Sequence, residues 1–221
     1  MTYNVDIVMC IDCTGSMKKL LDMVKTNALN FYPNLVERCK EKDKHISGLR
    51  VRVIAFRDFV ADGKHAISDS GFLYIPNQEM EFKEFVNQLN PKGGGDEPEN
   101  GLEALATAIN SDWTNEGDKN RHVIVVWTDA STHPLERAES KETPYYPPNM
   151  PKDLNELTDR WEDCQYMDDS AKRLVLFAPN AYAWSTIGSD WTNTMLHPAK
   201  AGEGLKETDY ETILSNIVNS I

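Results

Sequence analysis

Basic side chains are in short supply in this 221-residue chain: 23 Lys and Arg stand against 35 Asp and Glu, a formal charge of −12. Sequence-independent phosphate binding is driven by counterion release from clustered cations, and no such cluster is visible along the chain. Nucleic acid and anionic membrane surfaces are therefore not expected partners. Long hydrophobic runs are missing too. No stretch of about 18 or more apolar residues exists to span a bilayer, and Met1-Thr2-Tyr3-Asn4 lacks the basic and apolar regions of a secretory signal. The expected location is the cytoplasm. Cysteine is sparse, with four residues at 10, 13, 39 and 164, too few for a disulfide scaffold. Cys10-Ile11-Asp12-Cys13 has the spacing of a redox or zinc pair, but no second CxxC or Cys/His pair follows at zinc spacing. Cys10 lies in an apolar run, where a thiol serves as a small core hydrophobe.

What is present is a chain that is 40% apolar and long enough for one domain to bury about 70% of its unfolded surface. One domain over residues 1–221 is expected. Val5–Ile11 is nearly continuously apolar, as a central strand buried on both faces should be. From Ser16, read as an N-cap, Leu20, Leu21, Val24, Ala28, Phe31 and Leu35 recur at helical spacing to about Lys40, with Pro33 expected to kink or split the helix. Leu49–Phe56 reads as a strand ending in Arg57-Asp58, taken as an ion pair at the strand end. Phe72–Ile75 is a weaker strand, and Glu79–Leu89 a helix. The glycine-rich stretch Pro91–Glu99 runs into Pro98, a favoured first helical residue, followed by the stripe Leu102, Leu105, Ala106 and Ile109. His122–Trp127 is a buried strand that ends in Thr128-Asp129.

Residues 134–152 read as a Pro/Tyr-rich insertion, followed by a helix near Asp153–Cys164, a strand at Arg173–Phe177, an irregular stretch Trp184–Gly204 and a last helix Asp209–Ile221. Alternating strands and helices predict an α/β fold, a doubly wound and mostly parallel sheet with helices on both faces, in three layers. Ligands bind such sheets at the carboxyl ends of the strands. Three polar segments fall there: Asp12-x-Thr14-x-Ser16, Gly93–Glu99 and Thr128-Asp129. Their hydroxyls and carboxylates are hard oxygen donors, suited to Mg²⁺ or Mn²⁺ rather than zinc.

At these three segments the sequence resembles the von Willebrand factor type A domain. Asp12-Cys-Thr14-Gly-Ser16-Met17 is similar to that family's DxTGSM signature, Gly94-Gly-Asp96-Glu-Pro98-Glu99 to its second loop, and Trp127-Thr-Asp129-Ala130 to its third. The resemblance runs over about Asn4–Ala130. It implies a metal-ion-dependent adhesion site in which Thr14 and Ser16 bind a divalent ion through their hydroxyls and Asp12 and Asp129 bind it directly or through water. Many members carry threonine where Asp96 stands, whereas the D-x-P-E version resembles integrin β subunits, so Asp96 and Glu99 are alternative ligands. The resemblance further implies Mg²⁺, with Mn²⁺ or Ca²⁺ as alternatives, and an open metal position that an Asp or Glu carboxylate of a protein partner fills. Within the family the chain looks most like short intracellular or bacterial members found with kinases and phosphatases, in signalling or stress response.

Two rival functions stay in view: a Mg²⁺-dependent hydrolase or phosphatase using the same carboxylates, and a metal-independent scaffold. Against an enzyme, the D-x-D-x-T nucleophile pattern is broken by Thr14, the Asp-Thr-Gly triplet by Cys13, and no G-x-x-x-x-G-K-[ST] loop appears. No catalytic residue is assigned, and His133 is read as a polar loop residue rather than a general base. The aromatics Tyr145, Tyr146, Trp184 and Trp191 have two open readings, a partner-binding rim or a second small core.

Overall fold

The computed structural model describes residues 2–93, 97–117, 119–205 and 208–221. A seven-stranded sheet runs through them. Its strands are β1 (Thr2–Asp12), β2 (His45–Phe56), β3 (Ile67–Asp69), β4 (Leu73–Ile75), β5 (Asn120–Trp127), β6 (Lys172–Pro179) and β7 (Thr194–Ala199). The order is β3-β2-β1-β5-β6-β7, with β4 also pairing β2. β2, β1, β5, β6 and β7 are parallel, whereas β3 and β4 lie antiparallel along the outer side of β2.

Helices cover both faces, as the alternation predicts. Val5, Ile7, Met9 and Ile11 of β1 point into one core, shared with α1 (Lys18–Asn27), α2 (Phe31–Glu41), α4 (Glu79–Gln88) and α9 (Tyr210–Ser220). Val8 and Cys10 point into the other, beneath α5 (Gly101–Ile109), α7 (Leu154–Glu162) and α8 (Trp184–Asp190). Side chains alternate across a strand, so a strand apolar at nearly every position must be covered twice. Two short helices, α3 (Phe59–Asp62) and α6 (Ala138–Lys141), lie in the connections after β2 and β5.

The helix expected from Ser16 to Lys40 is divided. Gly15–Met17 and Ala28–Asn30 are 3₁₀ turns on either side of α1. The break comes ahead of Pro33, which sits in the first turn of α2, where its missing N–H costs no hydrogen bond. Ser16 does not cap α1; it lies inside the first 3₁₀ turn, and its hydroxyl is used elsewhere. Pro98 likewise precedes its helix, since α5 begins at Gly101.

The stretch Trp184–Gly204 is not irregular. It holds α8 and β7. Trp184 and Ile187 of α8 are buried, and β7 adds to β6 in register from Leu174↔Thr194 to Pro179↔Ala199. Tertiary burial outweighs the weak local propensity of this polar segment. The four aromatics do not share one environment. Trp184 and Trp191 are core residues, Trp191 stacking on Trp161 at 5.5 Å, whereas Tyr145 is 50% exposed and Tyr146 packs on Phe59 at 5.3 Å.

Arg57 and Asp58 do not serve as a pair at the strand end. Arg57 donates to the carbonyls of Cys13, His65, Asn90 and Lys92, tying four segments together. Asp58 caps α3 through Val60 N and Ala61 N and accepts from Arg137 Nη1 at 2.6 Å, with His133 Nε2 at 2.8 Å.

Candidate functional site

In the sheet order β2-β1-β5, the chain leaves β1 toward one side and returns to β5 on the other, so the carboxyl ends of β1 and β5 flank the crevice where the winding reverses. Asp12 is the last residue of β1, and Thr128-Asp129 follow directly after β5. The parallel pairing of Ile11 with Trp127 places these ends side by side.

A continuous chain of oxygen contacts crosses the crevice. Asp12 Oδ1 accepts from Thr14 N at 2.9 Å and from Thr14 Oγ1 at 2.7 Å. Thr14 Oγ1 lies 3.4 Å from Ser16 Oγ, which donates to Asp129 Oδ1 at 2.8 Å. Asp12 Oδ2 accepts from Thr128 Oγ1 at 2.7 Å, and Thr128 Oγ1 itself accepts from Ala130 N. Asp12, Thr14 and Asp129 are buried, whereas Ser16 is exposed, so the cluster has one face open to solvent.

Burial pushes the Asp12 carboxyl up to about 6, with the charge of Asp129 adding to the effect against the pull of the Thr14 and Thr128 hydrogen bonds. A cation between the two carboxylates would relieve this repulsion. The donor set fits a hard divalent ion. It is made of oxygen alone, and a hydroxyl keeps acceptor lone pairs while its proton is donated, so Thr14 and Ser16 can bind an ion without releasing Asp12 and Asp129. Among the described residues no three His, Cys, Asp or Glu side chains form a metal cage; the candidate site is two hydroxyls with two carboxylates.

Glu99 is buried, and its backbone pairs with the third loop: Glu99 N donates to Ser131 O, His133 N donates to Glu99 O, and a parallel bridge joins Glu99 to Thr132. The second loop is thereby fastened beside the third. Asp96, the alternative ligand, lies outside the described residues together with Gly94 and Gly95.

Two contributors have roles that the sequence does not assign. Thr128 orients Asp12, and its place beside Asp129 is the only local hint of this. The Gly202–Gly204 turn closes on Asp129 from far along the chain, with Gly202 N donating to Asp129 O at 2.9 Å and Gly204 N to Asp129 Oδ2 at 2.7 Å. Gly204 has φ +67°, and a Cβ there would fall 2.0 Å from Ser16 O, so only glycine fits. Neither thiol of the CxxC pair shares in the site. Burial pushes Cys13 up to about 12 and Cys10 higher still, which keeps both protonated.

Among solved structures, the chain is similar to the pilus adhesin SpaC from Lactobacillus rhamnosus GG in its open conformation, at 12% identity and TM-score 0.55 over 98% of this chain and 30% of the adhesin. It is also similar to proximal thread matrix protein 1 of the mussel byssus, at 12% identity and TM-score 0.52 over 98% of this chain and 48% of that one. The chain thus spans under half the length of either, and at these identities the likeness concerns the fold. No curated protein matches the sequence. Residues 6–141, more than half of the chain and all three loops, match the von Willebrand factor A domain, and the chain belongs to that family.

Proposed function

We propose that the chain is a metal-dependent protein-interaction module and not an enzyme. A divalent cation, Mg²⁺ by preference, with Mn²⁺ or Ca²⁺ as alternatives, is held by Thr14 and Ser16 with Asp12 and Asp129, and by Asp96 or Glu99 from the second loop. The ion supplies a local positive charge for an Asp or Glu carboxylate of the partner. Domains of this family commonly bind protein partners. The observation that carries the reading is the unbroken run of contacts from Asp12 through Thr14 and Ser16 to Asp129, open to solvent at Ser16. An ion there also gives a protein of charge −12 one spot that attracts a carboxylate.

Four free cysteines suit a reducing compartment, and we place the chain in the cytoplasm, in signalling or stress response alongside kinases and phosphatases. No helix among the described residues is long and apolar enough to cross a membrane.

The reading is tested by partner capture on the immobilised chain with Mn²⁺ and with chelator. Capture should require the ion and be lost in Ser16→Ala, and replacing the critical partner Asp or Glu by its amide should cost about 2–5 kcal/mol. Capture indifferent to chelator would place the binding surface elsewhere.

A further inference from the structure

Of the four cysteines, Cys10, Cys13 and Cys39 are buried, while Cys164 is partly exposed. Cys164 follows the end of α7 and has φ +55°, a left-handed conformation that glycine or asparagine adopts at little cost and a cysteine does not. Its Sγ lies 3.3 Å from Nζ of Lys172, the first residue of β6. The lysine side chain is 0% exposed, rare for an ammonium group. Nζ also donates to Trp161 O at 2.6 Å and pairs with Asp169 Oδ1 at 3.2 Å, and Asp169 is 68% exposed. The helix-end carbonyl and the carboxylate account for a buried lysine. The thiol itself donates to Glu162 O at 3.3 Å, so helix-end carbonyls hold both groups and set the sulfur against the amine, at a residue whose backbone conformation is of the kind found at candidate functional positions.

We propose that Cys164 and Lys172 form a peroxide-driven, thiol-reversible covalent cross-link between the end of α7 and the start of β6. Hydrogen peroxide oxidises the thiol to a sulfenic acid, Sγ–H becoming Sγ–OH with release of one water. The Lys172 ammonium passes a proton through Asp169 to solvent, and the free amine attacks Sγ. The Sγ–O bond breaks as the Sγ–Nζ bond forms, and the departing oxygen leaves as water with a proton from the amine. The product is a sulfenamide that has lost two hydrogens relative to the starting thiol and amine. Two equivalents of a small thiol return Cys164 and Lys172, with the small thiol recovered as its disulfide.

Sequence position makes the readout direct. Trypsin cuts native chain after Arg160 and Lys172, but it cannot cut after a lysine whose amine is bonded to sulfur. Peroxide treatment of the folded full chain should yield a peptide Trp161–Arg173 that is uncut at Lys172 and two hydrogens lighter, and dithiothreitol should abolish it. Lys172→Arg keeps the charge but cannot form the bond, so it should accumulate roughly tenfold more dimedone-reactive sulfenic acid at Cys164 than wild type. Cys164→Ser, at a partly exposed position, should give neither product even if Lys172→Arg fails to fold. A wild-type Cys164 that only gains oxygen, with trypsin still cutting after Lys172, would overturn the proposal.

Discussion

Thr128 sets the aim of Asp12 without being assigned to the ion. Its hydroxyl donates to Asp12 Oδ2 while accepting from Ala130 N, so the carboxylate is held between the first and third loops. Gly204 plays the matching part for Asp129, and here the backbone leaves no latitude. Gly204→Ala brings together a strained φ and a Cβ 2.0 Å from Ser16 O, so it should lower stability by at least about 2 kcal/mol. Denaturant midpoints measure this directly, and an unchanged midpoint would contradict the observed closure of the turn on the first loop. Asp12, Thr14, Ser16 and Asp129 were legible in the sequence because their loops follow apolar strands and carry oxygen donors in close succession. Gly204 was not, because nothing local to residues 200–205 records that the turn lies against residues far earlier in the chain.

At the scale of elements, what the sequence shows depends on how strongly each segment is patterned. β1, β5 and the stripe of α5 announce themselves through nearly unbroken or periodic apolar residues. α8 and β7 do not, because much of their sequence is polar and they are held by tertiary contacts: burial of Trp184 and Ile187, packing of Leu196 and the pairing with β6. β3 and β4, three residues each, owe their form to the edge of β2 rather than to propensity. α5 carries a buried carboxyl that makes the fold sensitive to pH. Glu103 on that helix is buried and accepts from Asn100 Nδ2 at 2.9 Å; burial, with Asp58's charge adding, pushes its carboxyl up to about 7.

A carboxyl that titrates higher in the folded than in the unfolded chain favours the fold below its unfolded pKa. That contribution is lost as pH rises toward the folded value. Between pH 4.5 and about 7 the protein should therefore lose stability on the order of 3 kcal/mol through Glu103. Metal-free Asp12 contributes in the same direction up to about 6. In Glu103→Gln the slope should fall to about half up to pH about 6, where Asp12 still contributes, and flatten between about 6 and 7. Thermal melts at several pH values in chelator measure it, and a variant as steep as wild type would contradict the assignment.

The whole molecule joins a net charge of −12 to one candidate site whose oxygen donors suit a cation. Family membership and sheet topology account for where that site lies, at the reversal between β1 and β5. The structural relatives share the fold and extend well beyond it, the SpaC adhesin being over three times as long as the matched region. The local chemistry of this chain lies in the oxygen set, the glycine turn against it, and the partly exposed Cys164 beside a buried lysine. Charge also sets how partners approach. A net charge of −12 should repel acidic proteins at long range at low salt, and screening should speed their association as ionic strength rises.

The most direct test is calorimetric titration of chelator-treated protein with Mg²⁺ and Mn²⁺, comparing wild type with Ser16→Ala, whose exposed position leaves the core untouched. The account predicts one ion bound by wild type and affinity at least about tenfold weaker in the variant, a loss of about 1.4 kcal/mol or more. Binding of equal strength in both proteins, or in neither, would contradict it.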